Sequence, residues 1–330
     1  MGSALKYRRF GRTGLQISEL AFGGGRSGGI LIHADDETRR RAVRESLDSG
    51  INWFDTAPQY GSGKSEEALG WLLDEIDDAP FVSTKVMVDA DAGDIAGQVE
   101  RSLGESLDRL RRNSVHLLQL HNRIDTRTAN RSITVEQVLG PGGVAAGMER
   151  LRERGLIRFM GLTALGDRDE TRRVIESGRF DTAQVYYNML NPSAARDAMP
   201  AAWKGFDSTG IMAACKAQDM GIMAIRIFAA SYLATPVRTG RESILTADTD
   251  PNSEAGMAEA VFAALGDAHG SRARTAVRFA LSNPDVSVAI VGLSEPEHMA
   301  DAIEAADRGP LPASALDRLE QLYRSGFAAG

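Results

Sequence analysis

The chain has 330 residues, 43% hydrophobic and 25% charged, which are the proportions of an ordinary soluble globular protein and not of a disordered or fibrous one. A formal net charge of -7 and a pI of about 5.4 argue against a nucleic acid or an anionic membrane surface as partner, since phosphate binding leaves a basic footprint. The single cysteine, Cys215, excludes an intramolecular disulfide framework and fits a reducing cytoplasm.

The opening segment, Met1 to Phe10, lacks the apolar run of a secretory signal, and Lys6 stands where a myristoylation site needs Ser or Thr. Residues 7–10 and 15–18, joined by a turn at 11–14, predict a small hairpin. Strand candidates follow at 19–24, 52–57, 81–86, 116–122, 159–164, 182–187, 221–228 and 287–293. Most are nearly continuous apolar runs, as strands buried on both faces should be. Between them, segments such as 38–49, 65–75, 94–110 and 144–154 repeat apolar residues at spacings of three and four, the helical period. Gly50 and Gly155 stand where helix C-caps are expected. Residues 313–324 predict an additional helix.

Roughly 150 residues per domain would suggest two domains, but single α/β barrels routinely exceed that length. Eight βα units in one unbroken series, with no Pro/Ser-rich linker, predict a single domain over 1–330. The expected architecture is of the α/β class, a (β/α)8 TIM barrel with an N-terminal β-hairpin plugging its bottom and an additional C-terminal helix. The longest apolar stretch, 220–234, is broken by Arg226 and is shorter than the roughly 20 residues of a membrane span. Three connections, 123–143, 190–210 and 229–251, are too long for plain turns and would crowd the C-terminal face, where loops carry function.

Polar residues at the C-terminal ends of barrel strands are the first candidates for chemistry. Asp55 ends the second strand with Tyr60 in its loop, Lys85 lies near the end of the third, and His121 near the end of the fourth. Singly, each has a structural explanation: a helix cap, a strand end reaching water, a satisfied core histidine. Four together on three consecutive strands at one rim fit proton transfer to a carbonyl oxygen. A lysine ammonium beside a tyrosine favours the phenolate and makes Tyr60 a better acid, Asp55 would hold Lys85, and His121 would orient the oxygen. None of the four can donate hydride, so the pattern requires a cofactor such as a nicotinamide.

At these residues the chain resembles the aldo-keto reductases. Asp55-Thr-Ala-Pro-Gln-Tyr60-Gly-Ser-Gly-Lys-Ser-Glu-Glu-Ala-Leu-Gly resembles the family signature around its catalytic aspartate and tyrosine, and Phe81-Val-Ser-Thr-Lys85 and Leu117-Leu-Gln-Leu-His121 its lysine and histidine segments. The resemblance implies a catalytic tetrad of Asp55, Tyr60, Lys85 and His121, with NADPH-dependent reduction of an aldehyde or ketone, or the reverse oxidation of an alcohol. It also implies cofactor contacts. Gly24 would let the backbone approach nicotinamide. Thr163, in Gly161-Leu-Thr-Ala164, and Gln184 match residues that hold the carboxamide, although Ala164 lacks the amide of the family's Asn. After the last strand, Gly292, Ser294, His298 and Asp301 fall in the adenosine-phosphate segment. There Ser294 and His298 replace the usual cations, and Ala302 the usual Asn, so NAD joins NADP as a cofactor. Ile225-Arg226 stands where the family often has a stacking aromatic and Ser; Arg226 has two readings, an ion pair with a nearby carboxylate or a contact with pyrophosphate or an acidic substrate.

Other patterns lead nowhere. Gly61-Ser-Gly-Lys-Ser65 suggests a phosphate loop, but its required first glycine is Pro58. The Gly23–Gly29 run lacks a dinucleotide-fold context, because residues 30–33 intervene, and reads as a flexible first loop. The five histidines show no metal-ligand spacing, so no metal is expected, and there is no Gly-x-Ser-x-Gly elbow. Among the loops, Trp203 is the candidate to line a substrate pocket. Arg123, Arg127, Arg131, Lys204, Arg238 and Arg241 suggest polar, sugar-like or anionic substrates. A small-molecule carbonyl or alcohol is thus the expected partner, and a cofactor-binding regulatory barrel without turnover is the rival reading.

Overall fold

A computed structural model describes residues 5–77, 79–129, 131–238, 240 and 250–327. Eight strands close into a barrel in chain order: β1 (Leu20–Gly23), β2 (Trp53–Asp55), β3 (Phe81–Val86), β4 (Val115–Leu120), β5 (Ile157–Ala164), β6 (Thr182–Tyr186), β7 (Gly221–Ile225) and β8 (Val288–Gly292). Every neighbouring pair is parallel, and β8 pairs with β1 to close the ring. This is the (β/α)8 barrel expected from the eight apolar runs.

Both strand faces are apolar for a visible reason. Phe22, Phe54, Val82, Leu118, Met160 and Ile222 join the layer between barrel and helices. Their neighbours Ala21, Trp53, Leu117, Met223 and Val288 fill the lower interior with Phe10 and Ile17. The hairpin (Tyr7–Arg9 against Gln16–Ser18, antiparallel) delivers Phe10 as a plug. Its ring meets Trp53 edge-on at 5.0 Å and lies over Gly221, where a Cβ would come within 2.3 Å of it. Each such buried aromatic contributes on the order of 2–3 kcal/mol by removal from water. Above this floor the interior turns polar, with Asp55, Ser83, Lys85, Gln119, Thr163 and Gln184 all buried.

The expected helices form: Asp36–Asp48, capped by Asp35; Lys64–Asp74; Ile95–Leu110; Val144–Glu153; and the additional Ala313–Arg324. Gly50 and Gly155 take φ of 89° and 72° after their helices, the left-handed conformation a C-cap needs. Among the described residues no helix is long and apolar enough to cross a membrane.

One expectation is corrected, and two connections gain detail. The seventh strand, expected to run to Phe228, stops at Ile225 because Arg226 adopts φ 55° and leaves the extended region. Beyond β1, residues 24–29 form the first loop. It is followed by the short buried helix Ile30–His33, whose Ile30 amide donates to Leu293 O at 3.0 Å, and a Cβ on Gly28 would lie 2.4 Å from Leu293 N. The connection 123–143 is not irregular throughout; it pairs Arg123–Ile124 with Ser132–Ile133 and carries the helix Val135–Leu139, closed by a Thr134/Gln137 capping box. Residues 239 and 241–249 of the connection 229–251, Arg241 included, lie outside the described residues; at its end Asp250 caps the helix Pro251–Leu265.

Candidate active site

Parallel register sets Asp55 of β2 beside Ser83 of β3, and Lys85 follows two residues later on the same inward face. Lys85 is fully buried, its Nζ donating to Asp55 Oδ2 at 2.5 Å and to Thr56 O at 2.9 Å. The other carboxylate oxygen, Oδ1, accepts from Ser83 Oγ (2.7 Å), Gln184 Nε2 (2.9 Å) and Gln119 Nε2 (3.0 Å). A buried ion pair is tolerable only when its remaining lone pairs are met, and three further donors meet them here.

Tyr60 reaches this pair from the turn after β2. Gly61, Ser62 and Gly63 take φ of 63°, 54° and 93°, swinging the chain into the helix Lys64–Asp74. The glycines that mimic a phosphate loop therefore serve this reversal. Lys85 Nζ lies 4.8 Å from the centre of the phenol ring, and His121 meets the ring edge-on at 5.9 Å. The structure thus brings all four tetrad candidates together at the C-terminal rim.

Burial is the largest influence on Tyr60 and raises its pKa above the usual 10; Lys85 pulls it down, Asp55 pushes it up, and Arg226 also lowers it. The expectation that Lys85 makes the phenol more acidic holds for that pair, but burial outweighs it, and the resting phenol keeps its proton. Burial works hardest against the Lys85 ammonium as well, yet Asp55 and Tyr60 together leave its pKa raised. His121 is lowered to about 3 by burial, then by Lys85 and Arg131, so the imidazole is neutral at neutral pH. Its Nδ1 lies 3.1 Å from Gln59 Oε1. As placed, that oxygen accepts from Nδ1–H; the tautomer in which Nε2–H donates towards the rim needs the Gln59 amide turned over so that its NH2 faces Nδ1.

This neutrality has a consequence for stability. Below pH 6.5 an unfolded chain protonates His121, whereas the folded chain refuses the proton until about pH 3, so folding stability falls as pH drops through that window. His121→Asn is expected to narrow the Tm difference between pH 7 and pH 4.5, measured by thermal unfolding; an unchanged difference would exclude a buried neutral imidazole.

The candidate cofactor residues divide into two groups. Thr163 lies in register beside Gln184, and its buried Oγ1 has no hydrogen-bond partner among the described residues. A ligand amide would satisfy it, so this corner fits a carboxamide. Gln184 gives one N–H of its amide to Asp55, which leaves its second N–H and Oε1 for a ligand. Arg226 acts electrostatically on both Tyr60 and the buried Glu254, its guanidinium carbon stands 6.0 Å from the Tyr186 ring centre, and Asn188 Nδ2 holds its carbonyl at 2.8 Å. The second group lies at the end of β8: Gly292 pairs with Gly23, while Ser294 Oγ contacts His298 Nδ1 at 3.3 Å. Asp301 lies in the helix Glu297–Asp307 that follows, in an ion pair with Arg274 at 2.7 Å.

Gly24 is spoken for by packing, since a Cβ there would meet Ser65 Oγ at 2.6 Å; the glycine facing the phenol is Gly25, whose Cβ would lie 3.7 Å from Tyr60 Cζ. Gly25→Val would place methyl groups over the phenol without backbone strain. KM for a carbonyl substrate is expected to rise about tenfold or more with Tm unchanged, and an unaltered KM in steady-state assays would refute that placement. Trp203 packs on Phe327 at 6.1 Å and lines an outer crevice with Arg168, Asp197 and Asp207, apart from the tetrad; Phe206 of the same loop reaches Tyr186, at 6.2 Å. Sequence reasoning passed over Ser83 and Gln119, although Ser83-x-Lys85 and Gln119-x-His121 carry the period-two signal of a shared inward face.

Comparison with known proteins places the chain among related sequences and folds. The chain is 25% identical over 328 residues to pyridoxal 4-dehydrogenase of Microbacterium luteolum, covering 90% of this chain and 91% of that one. It is 30% identical over 166 residues to L-galactose dehydrogenase of Arabidopsis thaliana, spanning about half of each protein (49% and 49%). The holo form of an aldo-keto reductase from Bacillus halodurans shares the fold, with a TM-score of 0.71 at 20% identity over 99% of this chain and 98% of that one. The family model of the Aldo/keto reductase family matches residues 19–324, and with that match the chain belongs to this family of oxidoreductases.

Proposed function

We propose that this protein is an NAD(P)(H)-dependent oxidoreductase that reduces aldehydes or ketones, or oxidises the corresponding alcohols, with Tyr60 as general acid and base. The observation that carries the reading is the buried Lys85–Asp55 pair (2.5 Å) beneath the Tyr60 phenol. Bound at the rim, a reduced nicotinamide supplies the hydride to the carbonyl carbon. Tyr60 O–H donates its proton to the carbonyl oxygen, and the positive charge of Lys85 stabilises the phenolate that results. His121, neutral, donates a hydrogen bond that orients the same oxygen. Solvent then returns a proton to Tyr60.

NADPH is the cofactor the family suggests. Ser294 and His298 place a hydroxyl and an imidazole in contact where cations would favour a 2′-phosphate, which supports use of NADH as well. Relatives named for L-galactose and pyridoxal, together with the basic loop residues, support small polar or sugar-like carbonyl compounds as substrates. The single cysteine, Cys215, buried and unpaired as a thiol, supports a reducing, cytoplasmic setting. A panel of aldoses, pyridoxal and nitrobenzaldehyde, assayed with both dinucleotides by the loss of reduced nicotinamide absorbance, tests this. Turnover of at least one aldehyde supports the reading; dinucleotide binding without turnover of any would replace it with that of a regulatory barrel.

A further inference from the structure

The donor set around Asp55 contains one residue whose placement has no explanation in strand packing alone. Gln119 is a fully buried amide in the middle of β4, where an apolar residue would fit the run Val-His-Leu-Leu-Gln-Leu. Its Nε2 lies 3.0 Å from Asp55 Oδ1, although β2 and β4 are separated by β3. Space for it comes from the other side. Gly161 of β5 is its register partner, and a Cβ there would lie 2.9 Å from Gln119 Cγ and 2.4 Å from Thr182 Oγ1 of β6. The missing side chain at 161 thus leaves room for Gln119 to lie across the barrel interior.

A carboxylate only accepts, so the amide must present its NH2 to Asp55, and its Oε1 is then left buried without a partner among the described residues. Leaving an amide oxygen unmet costs free energy, and the contact that offsets it is the charge-assisted bond to Asp55. Ser83 and Gln184 approach the same oxygen from β3 and β6. Donors from three strands on Oδ1 leave the carboxylate one orientation, with Oδ2 aimed at Lys85.

We propose that Gln119 is a positioning residue of the reaction: acting through Asp55, it fixes the carboxylate that holds the Lys85 ammonium under Tyr60. The inference rests on the reductase reading given above. Its titratable neighbours are Asp55 on β2, Lys85 on β3, Tyr60 in the turn beyond β2 and His121 beyond the end of β4.

Two variants test it, Gln119→Met and Gln119→Glu, by steady-state kinetics from pH 5 to 9 and by fluorescence titration of the reduced dinucleotide. Loss of one hydrogen bond to a charged group predicts a fall in kcat of about tenfold or more for Gln119→Met, with the dinucleotide dissociation constant within about twofold of wild type. In Gln119→Glu the introduced carboxyl faces a like charge in a buried site, which raises its pKa. Protonated, it donates to Asp55 as the amide does, and kcat approaches the wild-type value at low pH. Ionised, it repels Asp55, and kcat falls as the pH rises through that pKa, a limb absent from both wild type and Gln119→Met. Should Gln119→Met fail to fold, the added limb in Gln119→Glu decides alone. Wild-type kcat and pH profile in the folded variants would overturn the proposal and leave the reductase reading standing; a wild-type protein that reduces no carbonyl compound would overturn both.

Discussion

Tyr60→Phe is expected to lower kcat for carbonyl reduction by about a thousandfold or more, within the range for removal of a positioned general acid. The substitution deletes one oxygen and keeps the ring that packs against His121 at 5.9 Å and faces Gly25. Lys85 retains its bonds to Asp55 and Thr56 O, so the ion pair does not lose its geometry. The remaining donors cannot replace the phenol: the ammonium is fully buried, and the imidazole is neutral. The dissociation constant of the reduced dinucleotide should therefore stay within about twofold while turnover disappears, a split that uniform loss of binding would not produce. Residual kcat above about a tenth of wild type would remove Tyr60 from the role of acid.

Lys85→Met acts on both reaction and fold. It removes the charge that stabilises the phenolate, which predicts a loss in kcat of about a hundredfold or more. It also leaves the Asp55 carboxylate, 4% exposed, with three neutral donors and no counter-charge. Breaking a buried pair from one side costs about 3–5 kcal/mol, whereas removing both partners is often close to neutral. Asp55→Asn combined with Lys85→Met should accordingly recover much of the lost stability and none of the activity. Chemical denaturation of the two single variants and the double variant measures this coupling. Additive losses would mean that the pair is not coupled in the folded protein.

Much of the barrel was legible because its strands are buried on both faces and therefore read as unbroken apolar runs. All eight appear within a few residues of their expected limits. The end of β7 was not legible, because only the backbone reveals that Arg226 turns left-handed. The tetrad was legible from polar residues placed on three successive apolar runs. Its surroundings were less so. Gln184 also gives one N–H to Asp55, a contact across the barrel that no local pattern encodes. That Gly25 of the same glycine run faces the phenol is visible only in the packing. Ser83 and Gln119 did carry a signal, since each stands two residues before a tetrad member on the same strand face.

The pH dependence of kcat for carbonyl reduction by the wild-type enzyme bears most directly on which group delivers the proton. Tyr60 is raised above 10 by burial and His121 lowered to about 3. A phenol as acid predicts kcat that is level through neutrality and falls only on the alkaline side, where the proton is lost. A fall centred between about pH 6 and 7, the range of an ordinary imidazole, would transfer the proton to a histidine and contradict the account.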